Sequence, residues 1–324
     1  MPCSISAVIV NHNGGELLRD CLNDLIAERV DEIIVVDNAS ADGSAELLEA
    51  SILMAGVRVL QVGLNIGYGA AANRGIAACN APRIIVCNPD LRVHRGSIDI
   101  LSAALESDPT LGVVGPCILE PDGSVYPSAR RFPSLIDAGM HAILGMFFPD
   151  NKFTRNYRMQ DGDRMQDGER MQDGERMQDG DRMQDGERMQ DGESLEHSSP
   201  REVDWVSGAF FMARREAIEE IGGFDEGYFM YGEDVDLCWR IHQAGYGVAY
   251  IPEAVVTHER AYSTKKHPYR MLIEHHRSTI RFASRRYGGF SFALLAAPMA
   301  ILLAVRAAIA LIQQVAEDLR AYFT

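Results

Sequence analysis

The sequence predicts an α/β fold with a mostly parallel central sheet flanked by helices on both faces. Two observations carry this expectation. Over the first ninety or so residues, unbroken apolar runs of strand length alternate with segments of helical spacing, as expected of strands buried on both sides. Polar residues gather just after those runs, at the strand ends where open α/β sheets bind their ligands.

Residues 4–10 are a β-rich apolar run ending in Asn11-His12-Asn13-Gly14-Gly15. Residues 16–28 then place Leu17, Leu18, Cys21, Leu22 and Leu25 at helical spacing. A second strand is predicted at 32–36, closed by Asp37-Asn38-Ala39-Ser40-Ala41-Asp42-Gly43-Ser44. A helix from Ala45 and a strand at 57–62 follow. The glycine-rich loop 63–69 opens a helix of small residues over 70–79, and a fourth strand at 83–87 ends in Asn88-Pro89-Asp90. Next come a helix at 97–105, a strand at 113–119, a Glu120-Pro121-Asp122-Gly123 turn and the basic pair Arg130-Arg131.

Residues 159–194 then repeat MQDG(D/E)R six times, the last copy ending in Ser. A six-residue period does not keep one helix face, and Gly and Asp oppose strands. The repeat is expected to be a disordered acidic insertion in a surface loop. Calcium binding is the rival reading, but the spacing fits neither an EF-hand nor a nonapeptide repeat.

After the insertion, 203–213 is apolar around Trp205, Ser207 and Gly208, and Arg214-Arg215-Glu216 opens a helix. The stretch 222–240, GGFDEGYFMYGEDVDLCWR, sets an aromatic loop before Glu233, Asp234 and Asp236. Val235, Cys238, Trp239 and His242 give helical spacing there, with Gly245 as a stop. Acids in a first turn complement the helix dipole, yet the aromatic loop places these at a mouth rather than on a solvated face. Two strands are predicted at 246–251 and 254–257, parted by Pro252, the second ending at His258.

The C-terminal part is basic, with Arg270, Arg277, Arg281 and Arg285 at near-helical spacing and Lys265, Lys266 and Arg286 nearby. Residues 290–312 are strongly apolar, broken by Pro298 and Arg306. An interfacial helix is the first reading, with a membrane span and an ordinary buried helix behind it on equal terms. A basic helix ahead of such a segment suits an anionic lipid surface.

With 324 residues, 47% of them apolar, the chain can bury one large core or two smaller ones. A net charge of -15 argues against a general nucleic-acid binder and obliges any anionic ligand to find local help. The six cysteines include no CxxC pair, so neither a zinc site nor a redox motif is indicated, and they read as buried thiols of a reducing compartment. The N-terminus lacks a basic n-region, which is not the pattern of a signal peptide.

Four spots carry chemistry. Asp37, after a buried strand, can accept hydrogen bonds from a base or ribose, or simply belong to a capping loop. The loop Asn65-Ile66-Gly67, with Asn73 and Arg74 on the helix it opens, lets backbone approach a diphosphate. Asn88 and Asp90 offer hard oxygens to Mg2+ or Mn2+, or form a turn. His258 can supply a nitrogen to the same metal.

Their order and spacing resemble those of the family 2 glycosyltransferases, of GT-A fold. The matching segments are VVDNASADGS, LNIGYGAAANRG, the variant metal motif CNPD, GPCILEPDGSVYPSARRFP, DWVSGAFFMARREAIEEIGGFDEGYFMYGEDVDLCWRIHQAGY and IPEAVVTH. The pattern spans residues 4 to about 263 apart from the repeat, and within the family it is most similar to the bacterial rhamnosyltransferase branch. THERAYS at 257–263 departs from the glycine-containing run often found there.

The resemblance implies an inverting, metal-dependent transfer from a dTDP- or UDP-linked sugar, best matched by dTDP-rhamnose, to a polyprenyl-diphosphate-linked or glycan acceptor in cell-envelope synthesis. Galactofuranose, N-acetylglucosamine and mannose donors stay open, as does a scaffold that binds a nucleotide-sugar without turnover. It further implies donor contacts from Asp37, Asn38, Asn65, Gly67, Asn73, Arg74 and Asn88, and metal ligation by Asp90 and His258. Asp234 would be the base, with Glu233 beside it. Arg130, Arg131, Trp205, Gly208 and Arg240 would face the acceptor. The expected organisation is a donor half at 1–150, the insertion at 151–200, an acceptor and catalytic half at 201–265, and membrane-proximal helices at 266–324. The expected location is cytoplasmic, peripheral at the inner face of the plasma membrane.

Overall fold

The computed structural model describes residues 4–44, 56–132, 199–259 and 268–288, together with 301, 304, 305 and 308. The helix expected from Ala45, the hexapeptide repeat, Lys265-Lys266 and most of 290–312 lie outside these residues. Among the described residues no helix is long and apolar enough to cross a membrane.

The four apolar runs are β1 (Ile5–Asn11), β2 (Glu32–Asp37), β3 (Val57–Gln61) and β4 (Arg83–Cys87). They pair in parallel, in the order β3-β2-β1-β4. All seven residues of β1 are buried, so its sequence shows no apolar-polar alternation. Its side chains still divide by parity. Ile5, Ala7 and Ile9 pack with Leu18, Cys21, Leu22 and Leu25 of α1 (Gly15–Ala27) on one face. Val8 and Val10 pack with Ala71, Ala72 and Ile76 of α2 (Tyr68–Ala78) on the other. A Cβ at Gly75 would run into the side chains of Val8 and Val36, so this glycine lets α2 settle directly on the sheet. Each fully buried Leu, Ile or Val contributes about 1.5–3 kcal/mol.

The chain continues through β5 (Leu91–Val93), α3 (Ser97–Ser107), β6 (Leu111–Leu119), β7 (Val125–Tyr126) and β8 (Ala129–Arg130). Then follow β9 (Arg201–Glu202), β10 (Trp205–Val206), β11 (Phe210–Arg214), α4 (Arg215–Glu220), α5 (Glu233–Gln243), β12 (Gly247–His258) and α6 (Pro268–Arg286). The sheet order extends as β4-β11-β6-β12-β5, with β11 antiparallel to both neighbours and β12 parallel to β6. β8 and β10 form a separate two-stranded ribbon.

Two sequence expectations change. The strands predicted on either side of Pro252 are one strand, β12, whose pairing with β6 shifts register between Ile251 and Val255. Proline has no N–H for the ladder, and the irregularity absorbs it without ending the strand. On α5, the apolar side chains turned to the core are Leu237, Cys238 and Ile241. Of the predicted stripe, Trp239 instead meets Phe282 of α6, centroids 6.1 Å apart, and His242 meets Phe132 at 5.7 Å. The helix is covered on two sides, which a single amphipathic stripe does not anticipate.

Candidate active site

The ends of β1, β2 and β4 converge, as their parallel pairing requires. Asn11, fully buried at the end of β1, donates through Nδ2 to Asp37 at 3.1 Å, Ser40 at 3.0 Å and Ser44 at 2.9 Å. Asp37 is itself 3% exposed and also receives the Ser40 N–H, so much of its carboxylate is used in shaping the loop. Asn38 holds the glycine-rich loop: its Oδ1 accepts the Ile66 N–H at 2.9 Å, and its Nδ2 donates to Asn65 Oδ1 and the Gly67 carbonyl. His12 lies against the Asn38 carbonyl at 2.9 Å and beside Asn13. Sequence reasoning missed Asn11, His12 and Asn13 as members of this floor. Their signal was present in the polar Asn-His-Asn closing a buried strand.

Gly67 has φ +91, and a Cβ there would stand 2.5 Å from the Phe229 carbonyl oxygen. The same carbonyl accepts the Tyr68 N–H at 3.0 Å. The glycine loop therefore abuts the aromatic loop across the cleft. Asn73, expected toward a diphosphate, has both ends of its amide engaged by the far loop. Its Oδ1 accepts the Phe224 N–H at 2.8 Å and its Nδ2 donates to the Phe224 carbonyl at 2.9 Å, fastening α2 to the far loop. Arg74, one residue on, is exposed.

Asn88, Asp90 and His258 come together although 168 residues separate Asp90 from His258. His258 Nε2 lies 3.1 Å from Asp90 Oδ1 and 3.4 Å from Asn88 Nδ2. The antiparallel pairing of β12 with β5 sets His258 opposite Leu91 and so beside Asp90. Among the described residues no group of three His, Cys, Asp or Glu side chains is arranged to hold a metal ion by itself. One carboxylate and one imidazole still fit a divalent cation that takes its remaining ligands from a diphosphate and water.

The acids of α5 separate by environment. Tyr231 at φ +68 and Gly232 at φ +78 turn the chain sharply before the helix; the tyrosine conformation costs about 1 kcal/mol or more. Asp236, fully buried, is paired with Arg240 at 2.7 Å and with Arg285 at 3.4 Å, and accepts the Tyr228 hydroxyl at 3.4 Å. It is structural. Asp234 accepts the Gly208 N–H through Oδ2 at 2.9 Å and the Val235 N–H through Oδ1 at 2.9 Å. Burial raises its carboxyl above the ordinary value, opposed by those two N–H groups and by the Arg130 cation. Glu233 is pushed up to about 8 by burial and by the charge of Asp234, and its Oε2 is buried without a hydrogen-bond partner. The Tyr68 hydroxyl donates to the Gly208 carbonyl at 2.7 Å. Its acidity is suppressed by burial first, and then by the fields of Cys87, Glu233, Asp234 and Asp90. The Ala209 carbonyl, next along from Gly208, accepts the Asn88 N–H at 2.9 Å, so residues 208–209 touch both Asp234 and the Asn88–Asp90 turn. A half-buried carboxylate with a raised pKa and spare lone pairs, such as Asp234, is equipped to take a proton.

Arg130 and Trp205 sit opposite one another on the β8–β10 ribbon. The Arg130 guanidinium lies 5.3 Å from the centroids of both Trp205 and Tyr126. Arg131 is exposed, and its carbonyl takes the Trp205 Nε1–H at 3.0 Å. Arg240, expected toward the acceptor, instead spends its guanidinium on Asp236 and on the carbonyls of Ile221 and Gly223. It holds the loop before α5 in place.

The profile of Glycosyl transferase family 2 matches residues 6–222, and that of Glycosyl transferase family group 2 matches residues 177–315. The N-acetylglucosaminyl-diphospho-decaprenol L-rhamnosyltransferase of Mycobacterium tuberculosis is 39% identical over 277 residues, covering 82% of this chain and 78% of the relative. Rhamnosyltransferase WbbL of Escherichia coli is 36% identical over 84 residues, 26% of this chain and 32% of that one. Among solved structures, the mannosyltransferase PcManGT from Pyrobaculum calidifontis in complex with GDP-Man and Mn2+ aligns with TM-score 0.53 at 16% identity, over 97% of this chain and 75% of that one. GalNAc-T7 with UDP, GalNAc and Mn2+ aligns with TM-score 0.53 at 17% identity, over 81% of this chain but only 45% of that one. At these identities the structural likeness is one of fold.

Proposed function

Because the chain belongs to glycosyl transferase family 2 and is a glycosyltransferase, we propose that it transfers L-rhamnose from dTDP-rhamnose to a sugar carried on a polyprenyl diphosphate, with inversion. The observation that carries the reading is that residues 208–209 meet both groups: the Gly208 N–H is held by Asp234, and the Ala209 carbonyl takes the Asn88 N–H beside the Asp90–His258 pair. The 39% identity to a decaprenol-linked rhamnosyltransferase supports the choice of sugar and acceptor.

In this mechanism Asn11, Asp37 and Asn38 fix the loops that receive the nucleotide, and Asn65–Gly67 brings backbone close to the diphosphate. Asp90 and His258, with Asn88 adjoining, would hold Mg2+ or Mn2+. The bound cation would offset negative charge on the departing diphosphate. Asp234 takes the proton from the acceptor hydroxyl as that oxygen bonds to the anomeric carbon and the sugar–phosphate bond breaks on the opposite side. Its two backbone N–H partners hold the carboxylate still, so its free lone pairs stay directed at the hydroxyl. A single displacement needs no second carboxylate as nucleophile. Arg130 and Trp205 would flank the accepting sugar. Association with the inner membrane surface through α6 and the segment beyond it completes the proposal.

The test is thermal shift with dTDP-rhamnose, UDP-galactofuranose, UDP-N-acetylglucosamine and GDP-mannose, each with and without Mn2+. Product analysis with N-acetylglucosaminyl-diphospho-prenol as acceptor accompanies it. Stabilisation by dTDP-rhamnose that requires Mn2+, with transfer from that donor alone, is expected. Equal response to another donor would move the assignment to that sugar.

A further inference from the structure

Helix α6 is fastened across the 222–240 stretch. Ser278 Oγ donates to the Met230 carbonyl at 2.9 Å, and Arg281 and Arg285 both clasp Asp225. Between helix and loop lies a cavity of about 410 Å3, with Ile66, Phe229, Arg270, Arg277, Ser278 and Arg281 in its wall. It borders the catalytic turn: Ser278 Cβ is 3.7 Å from where a Cβ on Gly232 would stand, and Gly232 immediately precedes Glu233. None of the donor-floor polar groups and neither member of the Asp90–His258 pair lines it.

The charges in its wall are unevenly engaged. Glu226 accepts Asn73 Nδ2 at 3.2 Å, and Glu274 accepts Arg277 at 3.3 Å. Arg281 is held by Asp225 at 2.8 Å. Arg270 lies over the Phe229 ring, 4.3 Å from its centroid, and has no carboxylate partner among the described residues. Arg277 is 73% exposed at its side chain despite its acidic neighbour. A guanidinium resting on an aromatic face keeps its edge N–H groups available, and that planar fork matches phosphate oxygens in pairs.

We propose that this cavity is the subsite for the diphosphate of a prenyl-linked acceptor, with Arg270 and Arg277 as its direct contacts and Arg281 as the fixed cation behind them. The inference rests on the reading of the chain as a transferase onto a lipid-linked sugar. When the accepting hydroxyl belongs to the sugar next to the diphosphate, one ring separates the two, so the anion site must lie near the base. The cavity adjoins the turn that carries Asp234, and its volume admits a diphosphate with part of a sugar. The lipid then has an exit. Ile273 and Ile280, 53% and 42% exposed, lie on the same outward stripe of α6 as Arg270 and Arg277, at i, i+3, i+7 and i+10. The acceptor diphosphate is thereby assigned to α6, and Arg130, stacked on Trp205 and Tyr126, is left to the sugar.

The test is calorimetric binding of geranyl diphosphate, a soluble ten-carbon prenyl diphosphate without sugar, in EDTA so that the metal-dependent route to the donor site is closed. Wild type is compared with the full chain bearing Arg270→Ala and Arg277→Ala. A loss of at least tenfold in affinity is expected. In transfer assays the KM for the diphosphate-linked acceptor should rise far more than that for a neutral N-acetylglucosamine glycoside. Unchanged geranyl diphosphate affinity overturns the proposal. So does a variant that loses only its sedimentation with phosphatidylglycerol vesicles, since the arginines would then read membrane headgroups. If the double variant melts early, Arg277→Ala alone gives the same readout from an exposed position. The binding needs neither donor nor turnover, so an enzyme that rejects dTDP-rhamnose still returns an answer.

Discussion

Replacing Glu233 by glutamine should make the protein more stable at alkaline than at acidic pH, relative to wild type. Glu233 is 7% exposed, and its Oε2 has no partner. Burial and the neighbouring Asp234 charge raise its carboxyl from 4.5 to about 8. An acid whose pKa is higher in the folded than in the unfolded chain binds its proton more tightly when folded. Wild-type stability is therefore complete below about 4.5 and declines as pH rises through about 8. At about 1.36 kcal/mol per unit the full lift is worth about 5 kcal/mol. Part of the lift comes from the Asp234 charge and is shared between the two acids, so about 2 kcal/mol is expected between the two limits. With 324 residues unfolding at about 2.1 cal/mol/K each, that corresponds to about 3 °C in Tm. The amide cannot titrate, so the difference in Tm between Glu233→Gln and wild type should be more positive at alkaline pH than at pH near 5. Thermal unfolding by circular dichroism at both pH values measures it. Because a buried amide carries its own cost at every pH, the pH dependence is the quantity that counts. An equal Tm difference at both pH values would refute the reasoning and place the titration of Glu233 in its ordinary range.

Other expectations follow from the same geometry. Asp234→Asn should lower kcat by about 10²–10⁴-fold while calorimetry finds donor affinity nearly intact; parallel loss of both would assign Asp234 a structural role. Arg130→Ala removes a cation that favours the Asp234 carboxylate, so the acid limb of the pH–rate profile should move to higher pH, and an unmoved limb contradicts that coupling. Gly67→Ala drives a Cβ toward the Phe229 carbonyl at a left-handed φ and should cost about 1–3 kcal/mol, read from denaturant unfolding; wild-type stability would disprove the close approach.

The strands were legible because a sheet covered on both faces writes each of them as an unbroken apolar run, as in β1. Pro252 was misleading in the expected way, since a missing N–H looks like an end when the partner strand is unseen. Within the site, proximity between distant residues was the illegible part. The Arg240–Asp236 pair has helical spacing and can be read from one segment. Arg285, which also reaches Asp236, lies 49 residues away from it in the chain. The local spacing therefore offers Asp236 one cation, and its second one, which completes its commitment to the fold, is invisible in the sequence. Asn73 posed the same difficulty: its polarity on a helix after a glycine loop suggested a ligand contact, whereas its partner Phe224 is 151 residues away.

The clasp between α6 and Asp225 bears on how a shortened form of this enzyme would behave. A chain ending at 267, made to remove the basic and apolar tail for easier handling, would discard Arg281 and Arg285 together. Asp225 would lose both guanidinium partners, Asp236 would keep only Arg240, and the Met230 carbonyl would lose its hydroxyl donor. Uncompensated negative charge would then accumulate within a few residues of Asp234 and Glu233. Low activity in such a protein would be an electrostatic injury to the catalytic turn, easily mistaken for a requirement for lipid. A boundary drawn after Tyr287 keeps the clasp and separates the two effects.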